Sequence, residues 1–386
     1  MSIEVFWQLP VQGDGRALEP ELWTRGDYSA HRKTPHPFAR TGVQRDGYTF
    51  YDHLSQIAGA ADLARFDGLW VPQSAGGEDP LIVAGAFARE APHLRLVPAL
   101  RAPLLSAVYA TKIAVSFQRL TGGRLAWYLH NEEDDSDTWH GRHWSLAEQI
   151  ARTAEFLDVA KGFWNAAPFT FKGKYYEVEN GGFPPPLQGE TLPLIYLSGL
   201  TEEALELGAR HADVFLLPLA PQATVQAQIA DLEQRAARHG RRLRYGVTGD
   251  LVARSSDDEA WGDLRRRWEE VAARTVPISP RVPRPASLPG FDELVTGTNL
   301  WTGFGQVRRG ASAGLVGGYG ALSERIRAYA RLGVDTFVFS ANPALEEAYR
   351  VGEKLLPQLR AIAAEAAGPP SPSNHAPSNT QEQRVA

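Results

Sequence analysis

The chain has 386 residues and a formal net charge of -5, with a pI near 6.1, so it carries no basic footprint for nucleic acid or an anionic membrane surface. It contains no cysteine, which excludes disulfides, thiol catalysis, iron–sulfur clusters and Cys-ligated zinc. With 43% hydrophobic residues, 10 Trp, 16 Phe and 12 Tyr it can build a large core, yet no run approaches the roughly twenty apolar residues of a membrane span.

The N-terminus, MSIEVFWQLP, lacks a basic segment followed by a long apolar run, so a soluble, cytoplasmic protein is expected. Residues 5–10 are apolar and aromatic and read as a first buried strand. A polar stretch without sustained period runs from there to Gly47, a long connection of the kind that is usually functional or mobile. Tyr51, Leu54, Ile57, Ala58, Ala61 and residues 63–66 recur at helical spacing, and residues 68–72 form a second strand. The pattern then repeats: helix 81–91, strand 94–100, helix 106–120, strand 124–129, helix 146–164. Two alternating runs in 169–179 flank Lys172-Gly173-Lys174 and predict a hairpin. Strand 194–197, helix 201–212, strand 214–218, helix 221–239, strand 244–253, helix 257–273 and strand 336–340 complete the series.

Eight apolar runs, each followed by a helix, predict parallel strands with right-handed crossovers closed into a TIM (β/α)8 barrel, an α/β fold with insertions at its C-terminal face. One domain, residues 1–367, holds the barrel, and the Pro- and Ser-rich tail 368–386 is expected to be disordered. Residues 276–294 are too Pro-rich for a helix and are expected to wrap over the barrel mouth. Residues 299–318, NLWTGFGQVRRGASAGLVGG, hold six glycines in twenty positions and two adjacent arginines, Arg308 and Arg309. They read as a mobile cationic lid able to close on an anionic ligand; a plain surface loop is the alternative.

In such a barrel the active site lies where the strands end. The residues there are Gln8 and Gln12, residues 73–80, residues 130–137, Ser198 to Thr201, Thr248 and Asp250, and Asn342. They include no evident nucleophile–base pair, which points to chemistry brought by a cofactor. Ser198-Gly199-Leu200-Thr201 opens a helix and could cradle a phosphate, although Thr201 as a simple N-cap, with Glu202 and Glu203 complementing the dipole, explains it equally. The acidic run with His140 and His143 lacks a third ligand at diagnostic spacing, and no metal is expected.

Several stretches carry a likeness in order and spacing: EDP at 78–80, RLTGGRLAW at 119–127, FKGKYYEV at 171–178, DDEAW at 257–261, TNLWTGFGQVRRGASAGLVG at 298–317 and LGVDTFVFSANPALEEAYRVGEKLLP at 332–357. In these the chain resembles the bacterial luciferase-like flavin monooxygenases, and within them the alkanesulfonate monooxygenase branch, over nearly all of residues 4–366. The resemblance implies a TIM barrel that binds reduced FMN supplied by a separate NAD(P)H-dependent flavin reductase. O2 then adds to the flavin, and the peroxyflavin cleaves a carbon–sulfur bond. It also implies a homodimer or homotetramer, and a lid arginine matching Arg308.

The departures fall on the site itself. A family cysteine stands at Gly77, an arginine and a histidine of strand seven at Thr248 and Asp250, a tyrosine at Asn342 and a tryptophan at Pro218. On the flavin side an asparagine becomes Tyr128, a tyrosine becomes Ile150, and a serine pair becomes Leu200 and Thr201. Losing cationic character disfavours a small sulfonate and favours a bulkier, neutral or amine-bearing substrate. The expected roles are Arg308 as an anion clamp, with Asp250 and Asn342 beside it as catalytic candidates. Asp250 would orient substrate or handle a proton, or else pair with an arginine as a structural carboxylate. Trp7, Gln8, Glu78, Tyr128 and His130 would line the flavin cavity, and Ser198, Gly199, Leu200 and Thr201 would hold its phosphate. Trp7 and Tyr128 could equally be barrel filler. The expected function is oxidation of a small organic, including organosulfur, substrate. The alternatives are a degenerate luciferase-like subunit or binding protein, and a deazaflavin (coenzyme F420) oxidoreductase.

Overall fold

In the computed structural model, which describes residues 3–11, 13, 49–74, 77–130, 144–273, 289–308 and 312–367, apolar runs and amphipathic segments alternate as the sequence predicts. The first half runs β1 (Glu4–Gln8), α1 (Phe50–Leu63), β2 (Gly68–Val71), α2 (Pro80–Phe87), β3 (Arg95–Leu100), α3 (Ala107–Thr121), β4 (Ala126–Leu129) and α4 (Leu146–Asn165). A hairpin, β5 (Phe169–Lys172) and β6 (Glu177–Gly181), interrupts it. There follow β7 (Leu194–Ser198), α5 (Glu202–His211), β8 (Val214–Pro218), α6 (Gln222–Arg238) and the long β9 (Arg244–Arg254). Then come α7 (Asp257–Ala272), β10 (Val295–Gly297), β11 (Leu300–Trp301), α8 (Phe304–Val307) and β12 (Gly314–Gly318). The described residues end on α9 (Tyr319–Arg331), β13 (Val334–Ser340), α10 (Ala344–Lys354) and α11 (Leu356–Ala367).

Eight of these strands pair in parallel in the order β9-β13-β1-β2-β3-β4-β7-β8, and β8 returns to β9, closing a TIM barrel. Helix starts are fixed by side-chain caps: Thr49 with a capping box to Asp52, Asp79, Ser106, Ser145, Thr201 and Ser256 each accept a first-turn N–H. The two-residue strand period sorts side chains into two cores. Phe6, Trp70, Val97, Ala126, Tyr196, Val214, Leu216 and Val338 fill the lumen. Val5, Trp7, Leu69, Leu96, Ile195 and Phe337 face the helices.

Two expectations need correction. The Gly-rich stretch 299–318 is not a loop: it supplies β11, α8 and β12, and β12 is buried throughout; residues 309–311 lie outside the described residues. Its glycines serve close approach of backbones. A Cβ on Gly314 would stand 2.4 Å from the Asp250 carbonyl oxygen, and one on Gly317 would stand 2.5 Å from Asn299 Nδ2. Secondly, α7, counted as the helix after strand seven, does not lead directly into strand eight. Beyond residue 249, β9 leaves β8 and takes β12 as its partner, Gly314 opposite Asp250 through Gly318 opposite Arg254. Helix α7 packs on that outer sheet, whose core includes Val252, Ala260, Leu264, Phe291, Trp301 and Phe304, and α9 makes the crossover into β13.

The expected hairpin is present, with its turn bound to α4: Glu155 accepts from the backbone N–H of Lys174, Tyr175 and Tyr176 at 2.8, 2.8 and 3.2 Å. The long stretch 14–48, the acidic run 131–137 with His140 and His143, and the tail 368–386 lie outside the described residues, as does Gln12. Among the described residues no helix is long and apolar enough to cross a membrane, and no group of three candidate metal ligands occurs.

One buried histidine makes the fold sensitive to acid. His211, 3% exposed at the end of α5, has no hydrogen-bond partner at either ring nitrogen among the described residues, and Asp158 approaches only to 3.8 Å. Burial, with Lys161, Arg210 and Arg241 nearby, pushes its pKa down to about 3. The folded pKa lies below the unfolded value of about 6.5, so the unfolded chain takes up the proton first. The stability this neutral ring supports is complete above that value and declines as pH falls toward 3. Between pH 7 and pH 5 the loss is expected to be about 2 kcal/mol. Urea denaturation at both pH values should show a smaller loss, by about that amount, in His211→Leu; equal losses in both proteins would contradict this assignment.

Candidate active site

The barrel mouth is formed by side chains one step beyond the lumen filling, on the same strand faces. Gln8 follows Phe6 on β1, Tyr128 follows Ala126 on β4, Ser198 follows Tyr196 on β7, and Ser340 follows Val338 on β13. On β9 the outward residues are Tyr245, Val247 and Leu251, which leaves Thr248 and Asp250 facing inward.

Two groups of contacts result. On one side the Tyr128 hydroxyl lies 2.8 Å from Ser198 Oγ and 3.2 Å from His130 Nδ1. Its ring leans on Trp70, centroids 4.6 Å apart and planes 46° apart. This is an aromatic wall edged by three groups that can each donate or accept a proton. On the opposite side Arg308, brought in just after α8, places Nε 2.7 Å from Asp250 Oδ2 and donates from Nη2 to Ser340 Oγ at 2.7 Å. Asp250 is 2% exposed and also accepts from the Leu251 N–H at 2.9 Å. Burial raises its pKa above the ordinary carboxylate value, with Arg308 pulling it back. Of the two readings of Asp250 from sequence, the paired carboxylate is the one seen.

Next to this pair, the carbonyl of Asn342 accepts from Arg267 Nη1 at 3.0 Å, while Asn342 Nδ2 is buried without a partner among the described residues. Farther out, Glu347 at the start of α10 holds Arg254 from β9 at 3.1 Å and Arg350, and Arg254 also reaches Asp263 Oδ2 at 2.6 Å. These ion pairs tie the outer sheet and α7 to the barrel end that carries Asp250 and Asn342.

The structure separates the remaining candidates. Trp7 points away from the mouth: it is fully buried in the helix-facing core, tilted against Phe66 at 5.2 Å, with its indole N–H on the Ala344 carbonyl at 3.2 Å. It is filler between barrel and helices, because strand parity puts Phe6 and Gln8 inward and Trp7 outward. Glu78 is exposed, with its backbone N–H on the Val11 carbonyl at 3.0 Å, while its neighbour Asp79 caps α2. Ile150 is core. Thr201 Oγ1 accepts from Ala204 N–H at 3.3 Å, the N-cap. Gly199 sits at φ +114° and Leu200 is exposed. Glu202 of the first turn is drawn off to Arg235 at 2.8 and 3.2 Å. The N–H groups of Glu202 and Glu203 stand where a helix has no internal acceptor, so a phosphate would fit against this terminus.

Sequence reading missed Trp70, Ser340 and Arg267. The first two were accessible from strand parity, as residues on the faces of Phe6 and Val338. Arg267 gave no signal, since it reaches the mouth from a helix of the outer sheet.

A family model for luciferase-like monooxygenases matches residues 36–336. Among solved structures, the chain is similar to a long-chain alkane monooxygenase, LadA, at TM-score 0.69 and 16% identity, covering 94% of this chain and 92% of that one. It is similar to the oxygenating constituent of 3,6-diketocamphane monooxygenase from Pseudomonas putida, a type II Baeyer–Villiger enzyme in complex with FMN, at TM-score 0.59 and 14% identity, covering 92% and 99%. An F420-dependent secondary alcohol dehydrogenase shares the fold as well, at TM-score 0.63 and 14% identity, covering 93% and 100%. At these identities the structures attest the fold, and the family match, which spans more than half of the sequence, attests the kinship: the chain belongs to the luciferase-like monooxygenase family.

Proposed function

We propose that the protein is the oxygenating component of a two-component monooxygenase that takes reduced FMN from a separate NAD(P)H-dependent flavin reductase and uses O2 to oxidise a small organic substrate. The observation that carries this reading is the Tyr128–Ser198–His130 group against Trp70, at the strand ends of a barrel whose family is luciferase-like. When bound, reduced flavin supplies the electrons that activate O2, and the protein binds, orients and shields.

The Trp70–Tyr128 wall offers an apolar face for a flat ring system. The Tyr128 hydroxyl, bridging Ser198 and His130, can hold a proton or pass one toward the mouth. The N-terminus of α5, with Gly199 and Leu200 before its cap, supports phosphate binding, now that Glu202 is compensated by Arg235. Arg308, carried in by the outer sheet, covers the far side and keeps water out of the lumen end. A homodimer or homotetramer is part of the same proposal, resting on the family likeness.

Anaerobic binding tests the reading through its own residues. Reduced FMN should bind, and Tyr128→Phe, which removes the hydroxyl at the centre of the group, should weaken that binding about tenfold. Unchanged affinity would remove Tyr128 from the flavin site. The F420-dependent neighbour makes a deazaflavin the competing cofactor.

A further inference from the structure

We propose that Asp250 and Arg308 form a charge filter that keeps anionic substrates out of the barrel mouth and favours uncharged ones. This deepens the oxygenase reading by naming a substrate class, and it rests on the mouth being the substrate site.

An arginine at the rim of a barrel would ordinarily attract a carboxylate, sulfonate or phosphate, since a guanidinium pairs bidentately with such groups. Here the guanidinium is already engaged. Its Nε lies 2.7 Å from Asp250 Oδ2 in an ion-pair contact whose N–H is not aligned as a hydrogen bond, and its Nη2 donates to Ser340 Oγ at 2.7 Å. The pair is sealed in, with the side chains 13% and 2% exposed, so solvent does not screen it as it screens a surface ion pair. The backbone fixes the carboxylate too. Asp250 N–H donates to the Ala313 carbonyl at 2.9 Å, Oδ1 accepts from the Leu251 N–H, and the residue sits where β9 exchanges β8 for β12, opposite both Gly314 and Ser340. An anion approaching Arg308 therefore meets a rigid negative charge within contact distance of the same guanidinium. To bind, it must displace a carboxylate held by the Leu251 N–H on a residue that strand pairing fixes. The inward neighbours Thr248 and Ser340 are neutral, and Arg267, the other cation acting on Asp250, is turned to the Asn342 carbonyl. An uncharged polar substrate meets no such repulsion, and so is selected over its anionic analogues.

The test uses an isosteric pair, butyl methyl sulfone and butanesulfonate, titrated by calorimetry into flavin-free protein. The absence of flavin separates this outcome from that of the oxygenase reading, which is judged by FMN binding. The wild type is expected to bind the sulfone at least as tightly as the sulfonate. Asp250→Asn, which keeps shape and removes the charge, should shift the ratio at least tenfold toward the sulfonate. Adding Arg308→Gln to that variant should abolish the gain. An Asp250→Asn protein with no gain in sulfonate affinity overturns the proposal. Should that variant fail to fold, the wild type alone decides: a sulfonate bound tenfold more tightly than the sulfone overturns it.

Discussion

Replacing Glu347 by alanine is expected to destabilise the protein by about 3 kcal/mol, the low end of the usual cost of taking a partner from a buried charge, since Arg254 keeps Asp263. Glu347 is 1% exposed and Arg254 is 6% exposed. Its two oxygens take two guanidinium nitrogens of Arg254, each at 3.1 Å, and one of them also meets Arg350. Truncation strands Arg254 with Asp263 as its remaining carboxylate. The loss also has a functional side. Arg254 ends the strand that carries Asp250, and Glu347 opens the helix that follows Asn342, so the contact joins the two strand ends of the charge filter. Equilibrium urea unfolding measures the loss, and a change below about 1 kcal/mol would show that the pair is not the joint described here.

The second large effect is expected from Gly314→Val. The new Cβ would stand 2.4 Å from the Asp250 carbonyl oxygen and 2.6 Å from the Phe304 ring. A backbone atom cannot turn aside as a side chain can, so β12 must move off β9. The expected cost is about 3 kcal/mol or more, at the upper end of overpacking. The same shift should pull Arg308 away from Asp250, because both strands meet at Gly314. Gly320→Ala provides the control: on α9, with nothing within 4 Å of the new Cβ, it should leave stability unchanged or raise it by up to about 1 kcal/mol. A Gly314→Val protein with the urea midpoint of the wild type would contradict the close-packed account of this segment.

The same glycines show what was legible in the sequence and what was not. The eight barrel strands were readable because a parallel strand buried on both faces must be a near-continuous apolar run, as in Val5 to Leu9 or Val214 to Leu217. The segment 299–318 misled because glycine content signals flexibility only when nothing approaches the backbone. Here Asp250 of β9 and Asp257 of α7 approach Gly314 and Gly317 from elsewhere in the fold, and sequence distance hides them. Strand parity could have placed Trp7 outward and Ser340 inward. The Asp250–Arg308 pair was half visible: a paired carboxylate was one of two readings, but its partner lies 58 positions away, reached through an outer sheet that no periodicity announced.

The central claim, that this barrel is a reduced-flavin oxygenase, is tested most directly by titrating the purified protein anaerobically with reduced FMN beside oxidised FMN and a deazaflavin, following flavin fluorescence. Saturable binding of reduced FMN is expected, at least tenfold tighter than that of either competitor. Preference for the deazaflavin, or no flavin binding at all, would contradict it.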